Sequence, residues 1–243
     1  MQKLLFTFLL LTFSFSLTQA QDEDDEKFFN LGIKGVVNGS WLGNLPTDLQ
    51  GVQSFSVDRE NVKIGFVGGI WGRINLPIKG LYLQPELLIS QNGGRYTYQF
   101  VPPQIPTATD IKKNITLTNF EFPLSLGYRI PLGPLGLRLN AGGALSTILS
   151  AKQKIEATGS LAGAIPNNEQ DIKNQLKSLQ AALMGGLGLD FSKLSLDFRL
   201  QQNLTELYEG YTLTNNPATD ALQLDQKSQK VISGQIIIGF KLF

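Results

Sequence analysis

The sequence predicts an all-β fold: an eight-stranded antiparallel up-and-down transmembrane β-barrel, with short periplasmic turns at one rim and long outer loops at the other. Three observations carry this expectation. First, eight segments alternate apolar with polar or small residues at period two. A strand turns neighbouring side chains to opposite faces, so each segment has one greasy and one polar face. Second, the connectors between these segments alternate strictly between long and short. A meander with all turns at one rim and all loops at the other has this order, and a Greek-key sandwich has no reason to show it. Third, no stretch after residue 20 reads as a spanning helix. A chain of this kind that enters a membrane does so as strands.

The chain opens with Met1-Gln2-Lys3, an apolar run from Leu4 to Leu17, and the small-residue stretch Thr18-Gln19-Ala20. This reads as a secretory signal peptide, residues 1–20, cleaved before Gln21. The run is shorter than the roughly 20 residues a spanning helix needs. Gln21 stands where a lipoprotein would carry Cys, which excludes a lipid anchor there. Residues 21–27 form an acidic segment in which Asp22 to Glu26 reads DEDDE. Acidic runs can bind calcium. Ahead of the first strand, on the predicted periplasmic side, the expectation is a solvated lead-in. The barrel domain is 28–243.

The first strand sets Leu31, Ile33, Val37 and Trp41 against Asn30, Lys34, Asn38 and Ser40. The second sets Ile64, Phe66 and Ile70 against Lys63, Trp71 and Arg73. The third opposes Leu83, Leu87 and Ile89 to Gln84, Glu86 and Ser90. The fourth opposes Phe120, Phe122, Leu124, Leu126 and Tyr128 to Glu121, Ser125 and Arg129. In the fifth, Leu137, Leu139 and Leu145 face away from Arg138, Asn140 and Ser146. The sixth has Leu183, Leu187 and Leu189 opposite Gly186, Gly188 and Asp190. The seventh has Leu196, Phe198 and Leu200 opposite Asp197, Arg199 and Gln201. The eighth has Ile236, Ile238, Phe240 and Leu242 opposite Ser233, Gln235, Gly239 and Lys241.

Short turns are predicted at Pro77–Gly80, at Pro131–Leu135 and at Ser192-Lys193, and long connectors at 42–61, 101–112, 152–178 and 210–228. Residues 53–58 read either as an extra hairpin arm or as a strand extension, which leaves eight or ten strands open. In the third outer loop, Ile172, Leu176 and Leu179 recur at helical spacing after Asn167-Asn168, which predicts a short helix over 167–179. The second outer loop, 101–110, is proline-rich and extended.

The polar faces carry Lys34, Lys63, Arg73, Glu86, Glu121, Arg129, Arg138, Asp190, Asp197, Arg199 and Lys241. In an eight-stranded membrane barrel these charges of both signs fill a narrow interior while the apolar faces meet lipid. The expected role of the network is a structural plug. A soluble lipocalin-like barrel holding a small apolar ligand would need the reverse arrangement. Phe28, Phe29, Trp41, Tyr82, Tyr128, Phe191 and Phe243 fall near strand ends, where aromatics anchor a barrel at the headgroups. The last strand stops on Phe243 without a tail. Phe240 and Phe243 are read as a C-terminal signal for the outer-membrane assembly machinery, although Phe243 shares parity with Lys241 rather than with the apolar face.

Composition excludes several functions. With Lys3 removed, the 21 basic residues fall level with the 20 acidic ones, so nothing suggests nucleic acid. The chain has no Cys and no His, which removes thiolate chemistry and both the commonest metal ligand and the commonest general base. A Ser nucleophile would need Lys as its base. Lys152, Lys154 and Ser160 lie in a predicted outer loop, but no spacing suggests a dyad. No enzymatic activity, cofactor or metal is expected.

The stretches LGIKGVVNGSW (31–41), LYLQPELLISQNGG (81–94), FEFPLSLGYRI (120–130) and LDFRLQQNLTELY (196–208) resemble the PorT-type outer membrane beta-barrel family of Gram-negative bacteria. Their order and spacing match, over nearly all of the chain after the leader. The resemblance implies an outer-membrane location and lipid as the surrounding partner, and little about activity. Three function classes stay open: a structural or interaction scaffold whose outer loops meet an envelope protein, an accessory part of envelope transport or secretion, and the soluble lipocalin-like barrel.

Overall fold

The computed structural model describes residues 28–43, 55–59, 62–100, 109–158, 169–209 and 230–243. The predicted leader, the acidic segment and most of the proline-rich loop lie outside these residues. Ten strands are described: β1 Phe29–Gly43, β2 Phe55–Arg59, β3 Lys63–Asn75, β4 Leu81–Phe100, β5 Thr109–Leu132, β6 Leu135–Thr158, β7 Glu169–Asp171, β8 Leu179–Phe191, β9 Leu194–Asn203 and β10 Lys230–Lys241.

Eight of them close a ring in the order β1-β3-β4-β5-β6-β8-β9-β10, every neighbouring pair antiparallel. The ring closes because the last strand pairs with the first, from Gly32↔Lys241 to Gly43↔Lys230. Closure leaves no sheet edge, the condition for a sheet to sit in hydrocarbon. The terminal residues are held as well: Leu31 N–H donates to the Phe243 carbonyl at 3.0 Å, and Leu242 N–H donates to the Leu31 carbonyl at 2.8 Å.

The predicted faces are the observed ones. Ile64, Phe66, Leu183, Leu187, Leu200, Ile236 and Ile238 are all at least half exposed on the outer surface, while the polar partners beside them are buried inside. A contiguous apolar belt of this extent on the outside matches lipid, not water. The lipocalin arrangement, apolar within and polar without, is thereby overturned. Tyr82 departs from the interfacial role expected of it. It points inward at 1% exposure, its ring lying over Gly127 directly across the ladder, where a Cβ would come within 2.2 Å of Tyr82.

The three short turns join β3 to β4, β5 to β6 and β8 to β9 at one rim. Gly80 (φ 83°) and Gly133 (φ 64°) supply the left-handed positions two of them require. In outer-membrane barrels the short-turn rim faces the periplasm, so both ends of the barrel domain lie there.

The outer side differs from the sequence expectation. Parts of the predicted loops 101–112 and 152–178 are strand, since β5 begins at Thr109 and β6 runs to Thr158. The alternation was lost at a β-bulge: Asn119 pairs with Ile148, but Thr118 pairs with Ser150, so Leu149 is an extra residue. One extra residue reverses which parity faces inward. Below it Ser146 and Ile148 are buried; above it Ala151 and Gln153 are. β5 and β6 are 24 residues each. That is about 80 Å of strand, roughly twice the length needed to cross the apolar band with tilt. Residues 55–59, the ambiguous arm, form β2 and pair with the outer end of β4.

The helix predicted over 167–179 does not form within the described residues 169–179. β7 there pairs with the projecting part of β6, and a single 3-10 turn, Lys173–Gln175, follows. Asp171 accepts a hydrogen bond from the Lys173 backbone N–H at 2.8 Å, a local turn that competes with helix. Ile172 and Leu176 are nonetheless buried, but Leu179 points outward as the first residue of β8, at 65% exposure.

Candidate functional site

The interior has two layers. The inner one, on the periplasmic half, is ionic. Glu86 on β4 accepts from Lys34 Nζ of β1 at 2.5 Å. It also takes a two-pronged contact from Arg199 of β9, Nη1 to Oε2 at 2.9 Å and Nη2 to Oε1 at 2.7 Å. The fork of a guanidinium matches the two carboxylate oxygens, the strong form of this contact. Gln84, two residues along the same inward face, donates Nε2–H to Glu86 Oε1 at 2.7 Å.

A second cluster centres on Asp190 of β8. Arg73 Nη1 and Arg138 Nε each lie 2.9 Å from its oxygens, and Arg129 Nε lies 3.7 Å away. Arg138 also meets Asp197 of β9 at 2.9 Å. Arg73 donates from Nε and Nη2 to Gln84 Oε1, both at 3.2 Å, which joins the two clusters into one network. Its guanidinium stacks over Trp71 at 5.1 Å and Tyr82 at 4.8 Å. Glu121 accepts from Ser90 Oγ.

The structure thus brings together eight of the predicted residues, Lys34, Arg73, Arg138 and Arg199 against Glu86, Glu121, Asp190 and Asp197, all buried. Four cations against four carboxylates keep this layer close to neutral, and each of Glu86 and Asp190 has more than one cationic partner. Such pairing is what makes charge tolerable away from water. Of the other three predicted residues, Arg129 reaches Asp190 from the rim at 3.7 Å, while Lys63 and Lys241 sit apart from the two clusters. Lys63 lies toward the outer half and donates to Asn114 Oδ1 at 2.7 Å and to Thr116. Arg129 and Lys241 are only half-buried, at the periplasmic rim. Of the predicted terminal signal, Phe240 and Phe243 are both exposed on the outer surface. The sequence places Gln84 on the polar face and in the family-like stretch 81–94, but not in the charge network. Its amide links two ion clusters that come from strands far apart in the chain, and no local pattern marks that.

The outer layer is largely apolar, with Lys113 lying over the Tyr96 ring at 5.6 Å, and it escaped the sequence reading. Leu42, Tyr96, Ile115, Leu117, Ile148, Ala151 and Val231 point inward at the outer end. Over them lie Ile172 and Leu176 from the segment after β7, and Leu207 and Tyr208 from the segment after β9. The two segments are laced together: Lys177 N–H donates to the Leu207 carbonyl at 2.9 Å and Glu209 N–H to the Gln175 carbonyl at 3.0 Å. A signal was present. The spacing of Ile172 and Leu176 does mark an apolar face, which the fold uses as a cap and not as a helix.

Fold and interior together define an integral barrel whose lumen is blocked by its own side chains. A family model described as outer membrane protein beta-barrel domain matches residues 19–209. The chain belongs to that family, and it is an outer-membrane protein of Gram-negative bacteria. Among solved structures it is similar to Neisserial surface protein A, at 10% identity and TM-score 0.38, over 89% of this chain and 98% of that one. It is also similar to the translocator domain of the autotransporter NalP from Neisseria meningitidis, at 9% identity and TM-score 0.35, over 96% and 95%. No curated protein matches it.

Proposed function

We propose that this protein is a non-conducting outer-membrane scaffold of the PorT type, whose work is done by its outer surface and not by passage through its lumen. The observation that supports this is the double obstruction of the interior. The ionic layer spans the barrel from Lys34 to Arg138, and the apolar cap covers its outer mouth. An eight-stranded barrel has little room beyond its own side chains. The projecting β5–β6 pair, with β2 and β7 alongside, offers an extended surface to an envelope protein. In this reading the leader is removed on export, Phe240 and Phe243 engage the assembly machinery, and the barrel carries no catalysis.

The test is conductance. Purified protein placed in planar bilayers is expected to give no steady channel steps, and to give none after Leu176→Asp, which loosens the cap alone. Steady opening of the unaltered protein would overturn the scaffold reading. An accessory role in envelope transport or secretion is the second reading, which the same projecting surface of β5 and β6 would serve. Deletion of the gene with a survey of secreted proteins separates the two, since a scaffold leaves secretion intact.

A further inference from the structure

The periplasmic end of the barrel holds a cavity of about 610 Å³ that the ionic plug does not fill. Its charged lining is Arg73, Lys79, Arg129, Lys193 and Lys241 with Asp190 as the lone acid among the described residues, and Arg129 as well as Arg73 reaches that acid. Asp190 is already engaged by Arg73 and Arg138. Lys79 and Lys193 come from two different short turns, are exposed, and have no ion-pair partner among the described residues. A concave, low-dielectric wall focuses such a positive field and draws an anion into it.

We propose that this vestibule is a binding site for clustered carboxylates, and that its occupant is the chain's own acidic stretch Asp22–Glu26. Three observations support that choice. The stretch carries five carboxylates, which complement Lys79 and Lys193 of the lining. It is tethered at the lip of the cavity: the Phe28 carbonyl accepts from Asn75 N–H at 2.9 Å, and Asn75 and Asn30 are themselves lining residues. Five extended residues reach about 17 Å, enough to enter. A tether this short gives an effective concentration on the order of millimolar, so even weak charge pairing fills the site. Occupied in this way, the stretch masks a positive periplasmic face that a separate acidic polypeptide would otherwise engage.

The test uses full-length protein exported with its leader and purified from outer membranes in detergent. Calorimetric titration with a capped Asp-Glu-Asp-Asp-Glu peptide at low salt compares it with a variant carrying D22N, E23Q, D24N, D25N and E26Q. The neutralised variant is expected to bind the peptide, and the unaltered protein to bind it about tenfold more weakly because its own stretch competes. Adding Lys79→Gln and Lys193→Gln to the neutralised variant is expected to weaken binding about tenfold, two charge contacts' worth. Both lysines sit in exposed turns, and a retained heat-dependent gel shift confirms that each variant is folded. Absence of peptide binding by the neutralised variant would overturn the site. Equal binding by both proteins would overturn the occupant, and indifference to the two lysine changes would overturn the location.

Discussion

Glu86 is the residue on which most of the interior depends, because one carboxylate neutralises Lys34 and Arg199 at once. Glu86→Gln keeps the shape but leaves two buried cations facing an amide. The expected loss is about 3–5 kcal/mol, the usual result of removing one partner from a buried ion pair. Urea unfolding in detergent, followed by tryptophan emission, measures it. Lys34→Met should cost less, since Arg199 still grips the carboxylate with both prongs. An equal loss in the two variants would show that Lys34 matters as much to the cluster as Glu86 does. Gly127 is a second sensitive position. Tyr82 lies against it, so Gly127→Val must push that ring off Gly127 and away from the guanidinium of Arg73. Overpacking of this kind costs about 1–3 kcal/mol, and the same unfolding experiment reports it.

At the scale of the elements, the bulge at Leu149 sets which residues of outer β6 face inward. Deleting Leu149 would turn Lys152 and Lys154 toward the apolar cap and Ala151 and Gln153 outward. The expected outcome is a barrel that still inserts but whose outer segments become open to protease, with cleavage confined to the projecting part. Full protease resistance would show that the register slips to absorb the deletion. The pairing of β7 with β6 carries an exposed ion pair, Lys152 to Glu169 at 2.7 Å. The hydrogen bond from Lys152, then its charge, holds the Glu169 carboxyl below its ordinary range. A carboxyl depressed in the folded state contributes above its unfolded value, about 4.3, and that contribution is lost as pH falls through the folded value. Amide protection over Glu169–Asp171, corrected for intrinsic exchange, should therefore hold from neutrality to about pH 4 and decline below it. A flat profile would assign the pairing to backbone hydrogen bonds alone.

For the whole molecule, ring closure makes a direct expectation. Folded protein should resist SDS at room temperature and migrate differently from boiled protein, because a closed barrel has no edge at which unfolding can begin. A single mobility with and without boiling would contradict closure. Glu86→Gln is expected to lower the temperature of the gel shift, while Leu176→Asp should leave it unchanged, since the cap lies outside the ladder. Together these separate what closes the wall from what fills it.

The wall was legible in the sequence. Lipid on one side and a polar interior on the other impose strict alternation on each of the eight ring strands, and local period alone reveals it. The alternation of long and short connectors revealed the order of strands, and hence the seam between Gly32–Gly43 and Lys230–Lys241. Alternation also marked every member of the ionic network, yet not who pairs with whom. Glu86 and Arg199 meet across 113 residues of sequence, and Gln84 joins them to Asp190 through Arg73. Those contacts depend on the stagger of the closed ring, a property of all eight strands at once. The cap was decided in the same way. Ile172 and Leu176 have helical spacing, but the free edge of β6 beside them and the apolar mouth beneath them made extended pairing and a single tight turn the better use of those residues. Local pattern could show that they must be buried; only the tertiary structure supplied the surface that buries them.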